Sequence, residues 1–102
     1  MTVTVLIPGQ LRERAAGLAE VRLPGSPATV AEAFAALWRL HPGLRDRVMT
    51  ETGEVRRHVN VFVGDESIRF TAGLATPLRE GSEISIYPAV SGGGGFLVLP
   101  AR

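Results

Sequence analysis

One stretch limits the fold of this chain more than any other. Between Thr29 and His41-Pro42-Gly43, the residues Val30, Ala33, Phe34, Leu37 and Leu40 recur at helical spacing. Residues three and four apart share one face of an α-helix, so these five make a single apolar ridge. Thr29 with Glu32 three positions on reads as a capping box, which satisfies two otherwise orphaned backbone donors. Pro42 stops the helix, because proline disfavours helical geometry at the residue before it. The expected helix covers residues 26–40, with Trp38 beside the ridge at its edge, and residues 44–49 allow one further turn. One helix cannot bury its own ridge, so a sheet has to cover it.

The rest of the chain supplies the strands. Val3, Val5 and Ile7 alternate with Thr4 and Leu6, which reads as a strand; Leu6 is also apolar, so both faces are partly covered, as in a central strand. A second strand is expected at 20–23, before Pro24-Gly25, with an irregular solvated loop carrying Arg12, Glu13 and Arg14 between the two. The clearest alternation is at 57–63: Val59, Val61 and Val63 share the face turned to the helix, and His58, Asn60 and Phe62 share the other. A short extended piece at 67–70 and a last strand at 83–87 complete the set. The order predicts an α+β roll, a mixed sheet of four to five strands with one main helix across one face. The first and last strands should lie side by side in its middle. A chain of 102 residues that is 45% hydrophobic suits one such domain with a single core.

Composition removes several functions. A net charge of +1 gives no overall electrostatic attraction to nucleic acid or an anionic membrane. With no cysteine there is no disulfide, no thiolate metal site and no thiol nucleophile. His41 and His58 stand apart, with no acidic cluster beside them, so His41 reads as a helix-end contact and no metal site is expected. No apolar run is long enough to span a bilayer, and the start of the chain lacks a charged leader followed by an apolar stretch, so a cytoplasmic protein is expected. All eleven basic residues are arginine, ordinarily a mark of codon bias. The chemical consequence is that no side-chain amine is present for acylation.

Near the C-terminus the chain reads Tyr87-Pro88-Ala89-Val90-Ser91-Gly92-Gly93-Gly94-Gly95. Glycine has no Cβ, so such a run is thin and conformationally free. It suits a linker, and equally a tail that threads a narrow tunnel. Three stretches in fixed order decide how it is read: Val59-Asn60-Val61-Phe62-Val63-Gly64, then Thr76-Pro77-Leu78-Arg79-Glu80-Gly81-Ser82-Glu83-Ile84-Ser85-Ile86, then Pro88-Ala89-Val90-Ser91-Gly92-Gly93. With these the chain resembles the ubiquitin-like β-grasp sulfur carriers over about nine-tenths of its length. That family includes the small subunit of molybdopterin synthase, the thiamine-pathway carrier and the carrier of one route to cysteine.

The resemblance implies a β-grasp fold and a protein that catalyses nothing. It binds no cofactor itself; a ubiquitin-E1-like activating enzyme uses ATP to adenylate the terminal glycine, and sulfur then replaces AMP to give a thiocarboxylate. An acyl adenylate is a reactive electrophile that has to be made away from water, and only a tail without side chains reaches such a cleft. Carried over, the sulfur sits on Gly93, with Gly92 beside it, and a sulfur-accepting biosynthetic enzyme receives it. This chain continues past that point with Gly94-Gly95-Phe96-Leu97-Val98-Leu99-Pro100-Ala101-Arg102. It therefore reads as a precursor: a β-grasp domain at 1–90, a glycine-rich tail at 91–95 and an apolar extension at 96–102 removed on maturation. Some relatives with such extensions pair with a zinc-dependent, deubiquitinase-like peptidase, the trimming partner that the resemblance implies. Cleavage after Gly95 stays open, because four glycines offer no side chain to set the register. Activating and acceptor enzymes are expected to dock on the sheet face opposite the helix, at Phe62 and Tyr87, with Pro8 at its edge and Val90 in the outgoing chain. The alternative is a non-carrier interaction module whose apolar tail docks on itself or on a partner.

Overall fold

The structure is a computed structural model that describes residues 2–88. Its strands are β1 (Val3–Leu6), β2 (Glu20–Leu23), β3 (Val59–Val63), β4 (Glu66–Ser67) and β5 (Glu83–Pro88), with helices α1 (Val30–Leu40) and α2 (Arg45–Val48). The five strands form one sheet in the order β2-β1-β5-β3-β4. The first and last strands are parallel neighbours at its centre, and the other pairings are antiparallel. Valine and isoleucine favour the centre because branched side chains fit a pleated surface covered on one side. Val3, Val5, Val21, Val59, Val61, Ile84 and Ile86 all point to the helix side and are buried there. This is the expected α+β β-grasp roll.

The helix begins at Thr29, whose Oγ1 accepts from the Glu32 N–H at 3.2 Å. The return bond of the capping box goes one residue further back than the usual pattern: Glu32 Oε1 accepts from the Ala28 N–H at 2.9 Å. Residues 26–28 are therefore lead-in chain rather than helix. Phe34 and Leu37 are buried against the sheet, and Trp38 lies at the edge with its ring 5.0 Å from that of Phe34. Two positions on the helix differ from expectation. Ala36 is buried although the expected ridge did not include it, and Leu40, the residue before the His41 cap, is 47% exposed. The His41 N–H donates to the Leu37 carbonyl at 2.8 Å, so the residue is a helix-end contact as expected.

Two loops carry more structure than their sequences announce. Residues Gly9–Ala15 form a 3-10 helix that buries Leu11 and Ala15, while Arg12 Nε donates to the Ile7 carbonyl at 3.0 Å. The expected extended piece at 67–70 is strand only at Glu66–Ser67; Ile68–Phe70 turns into a 3-10 helix, with Ile68 in the core. The strand expected from residue 57 begins at Val59. Leading into β5, the Pro77–Ser82 connection turns on Gly81, at φ +81°, where a side chain would strain the backbone. The Gly81 N–H meets the Thr2 carbonyl at 2.8 Å, so this turn ties the start of the chain to the start of the last strand.

Candidate functional site

One face of the sheet is covered by α1, and the make-up of the other can be read from the registers. Across its middle runs a row in which Leu6 pairs with Ser85 and Ser85 with Phe62, with Ser67 beyond. Ser85 is almost fully buried although polar, because Leu6 and Phe62 flank it on both sides. The next row toward the end of β5 pairs Tyr87 with Asn60. Phe62 and Tyr87 are thus diagonal neighbours on adjacent strands, and their rings meet edge to face at 5.6 Å and 82°. Aromatic pairs prefer this geometry, because the positive ring edge meets the negative ring face. Phe62 is half-buried and Tyr87 is 39% exposed. Together with Leu6 they form an apolar strip running toward the end where the last strand leaves the sheet.

The structure brings Phe62 and Tyr87 together, as the alternation implied. Pro8 is half-buried and follows β1, which runs parallel to β5, so it stands at the same end of the sheet as Tyr87. It also starts the 3-10 helix, its carbonyl accepting from the Leu11 N–H at 2.9 Å. Gly92, Gly93, Gly95 and Val90 lie outside the described residues. What is fixed is where the tail begins. Strand β5 carries the chain to Pro88, opposite Val59 at the first residue of β3.

That exit is braced by a residue whose role the sequence did not announce. Arg69, in the 3-10 turn after β4, extends Nη2 to the carbonyls of Arg57 at 2.7 Å, Val59 at 2.8 Å and Arg56 at 3.3 Å. One guanidinium thereby holds the segment entering β3. From the other side, Arg56 Nε donates to the Asp46 carbonyl at 2.7 Å, and Met49 and Val55 form a single bridge. A second unforeseen feature is Phe70, an aromatic left 87% exposed at the end of the same turn. The sequence reading gives only a short extended piece at 67–70; the 3-10 turn at Ile68–Phe70 instead buries Ile68 and leaves Phe70 exposed.

Among the described residues, no group of three or more His, Cys, Asp or Glu side chains could hold a metal ion. No helix among them is long and apolar enough to cross a membrane.

Comparison with known proteins gives this arrangement a family. The sequence profile of the ThiS family matches residues 5–93. The sulfur carrier protein CysO of Mycobacterium tuberculosis is 38% identical over 95 residues, a match spanning 91% of this chain and all of CysO. The crystal structure of the BexX/CysO complex of Amycolatopsis orientalis contains a chain that superposes with a TM-score of 0.80 at 38% identity, covering 89% of this chain and 99% of that one. SAMP1 of Haloferax volcanii superposes with a TM-score of 0.77 at 34% identity, covering 91% and 100% of the two chains. By these matches the chain belongs to the ThiS family of ubiquitin-like sulfur carriers, co-substrates that partner enzymes act upon.

Proposed function

We propose that this chain is the precursor of a sulfur carrier whose working terminus is Gly93. The observation that carries the reading is the family match, which closes on Gly92-Gly93 while the chain runs on through Gly94, Gly95 and Phe96. An activating enzyme adenylates the Gly93 carboxylate with ATP, and sulfur displaces AMP. The carbonyl carbon exchanges its bond to the adenylate oxygen for a bond to sulfur, and AMP leaves with that oxygen. The thiocarboxylate then donates its sulfur to a biosynthetic enzyme; that a CysO is found in complex with BexX supports a protein acceptor. A metallopeptidase removes the residues after the terminal glycine beforehand, since Phe96 and Leu97 add bulk where a tunnel admits only glycine. On this reading the cycle runs in the cytoplasm.

The division of labour follows. Residues 1–90 are the handle, read through Phe62, Tyr87, Pro8 and Val90; residues 91–95 are the thread; residues 96–102 are a temporary block. ATP–pyrophosphate exchange by an activating enzyme tests this with forms ending at Arg102, Gly95 and Gly93. Exchange is expected with a glycine-ended form alone, and equal exchange with the Arg102 form contradicts the proposal. The other reading, a tail that docks on its own domain, has one observation in its favour. An apolar groove of about 340 Å³, lined by Val55, Val59, Val61, Ile68 and Leu74, opens beside the residue paired with Pro88. On that reading, removing residues 96–102 lowers the melting temperature; an unchanged value contradicts it.

A further inference from the structure

The exit end of the sheet is basic and the opposite end acidic, although the whole chain is nearly neutral. Val59 pairs with Pro88, so Arg56, Arg57 and His58 occupy the positions next to where the chain departs. Arg47 joins them: with Asp46, Arg56 and His58 it lines a shallow pocket of about 370 Å³. At this corner Arg45, Arg47, Arg56, Arg57 and Arg69 outnumber Asp46, Glu51 and Glu54. The Asp46 carboxylate is already engaged by Arg45 at 3.6 Å. At the start of β5, a hollow of about 630 Å³ is lined by Glu66, Glu80 and Glu83, with Asp65 adjacent. Arg79, and Arg22 across the sheet, are the balancing charges there. Six strand residues separate the two ends by about 17 Å, at 3.3 Å per residue.

We infer that this basic corner is a docking surface for an acidic rim on the enzyme that takes in the tail, an inference that rests on the carrier reading. Three features carry it. The charge lies beside the one point from which the tail can be drawn, so a partner that threads the tail faces it. The corner is held in place before any partner arrives, by the three carbonyl bonds of Arg69 and by Arg56 on Asp46, none of which uses the Arg47 or Arg57 side chain. Those two arginines and His58 are exposed. Finally, the separation of opposite charges along β5 favours one orientation of approach, which a chain of nearly zero net charge gains in no other way. A long polyanion meets repulsion from the acidic end, whereas a local acidic rim does not. Charges so arranged raise association rates by about 10-fold to 1,000-fold and lose that effect as salt screens them.

The test uses the form ending at Gly93 and an enzyme that adenylates it. Arg47→Glu with Arg57→Glu is compared with Glu66→Arg at the acidic end. The double variant is expected to lose at least about tenfold in kcat/KM for the carrier at roughly 0.02 M salt, with kcat unchanged and the deficit shrinking toward about 0.5 M. Glu66→Arg should leave kcat/KM unchanged or raise it. Should the double variant melt at a lower temperature, Arg57→Gln is read instead and must show a smaller loss with the same salt dependence. A kcat/KM within about twofold of wild type at low salt overturns the inference. So does a loss confined to kcat and insensitive to salt. If a single-stranded RNA oligonucleotide binds the wild type and not the double variant, the surface serves a polyanion and the protein partner is wrong. If no enzyme adenylates the wild-type Gly93 form, the carrier reading itself falls, and the inference with it.

Discussion

Phe62 and Arg69 serve the tail end of the sheet in different ways, and they differ in how readily a sequence reveals them. Phe62 follows from alternation alone: Val59, Val61 and Val63 claim the helix side, so Phe62 takes the other. The structure gives it a partner in Tyr87 and leaves it half-buried. Phe62→Asp removes an edge-to-face pair worth about 0.5–1.5 kcal/mol, so the domain is expected to stay folded while binding to the activating enzyme is abolished. Unfolding of the variant in a thermal melt would place Phe62 in the core instead. Arg69 could not be foreseen, because its function depends on a 3-10 turn that carries the guanidinium across three carbonyls far away in sequence. Hydrogen bonds to a charged group contribute roughly 1.5–3 kcal/mol, and exposure of Arg69 argues for the lower end. Arg69→Gln should therefore lower stability by about 1–2 kcal/mol in a denaturant titration and speed amide exchange at 56–59. Unchanged exchange there would mean that the clamp does not hold the exit.

Among the elements, α1 was the most legible and the connections the least. The helix has a cap, a ridge and a proline stop, three signals that agree. Of the expected ridge only Leu40 is exposed in the structure, because periodicity fixes a face of the helix but not how far along it neighbours cover that face. The residues Gly9–Ala15 bury only Leu11 and Ala15, too few to stand out against Arg12, Glu13 and Arg14. Phe34 and Leu37 share one buried cluster with Val5, Val61 and Ile84, so the helix and the sheet are parts of the same core. Leu37→Ala is expected to cost about 2–5 kcal/mol, the usual sum of lost transfer energy and residual cavity. A change below about 0.5 kcal/mol would show that α1 presents another face.

At the scale of the whole molecule, the fold was readable because its pieces constrain one another. One helix requires one sheet, and a sheet whose first and last strands are central brings both ends of the domain to its middle. Of the candidate site, the shared face of Phe62 and Tyr87 was readable from alternation, while the glycine terminus comes from resemblance and lies outside the described residues. The charge segregation was not readable, since arginines at 45–57 and 69 become neighbours only through the β3–β5 register and the turn after β4.

The central claim is that the glycine terminus, once freed, accepts sulfur. Its most direct test is the intact mass of three forms, ending at Arg102, Gly95 and Gly93, after incubation with an activating enzyme, ATP and a sulfur donor. The account predicts a gain equal to one oxygen exchanged for one sulfur on a glycine-ended form alone, with Gly93 favoured over Gly95. An equal gain on the Arg102 form, or none on any form with an enzyme that demonstrably charges another carrier, would contradict it.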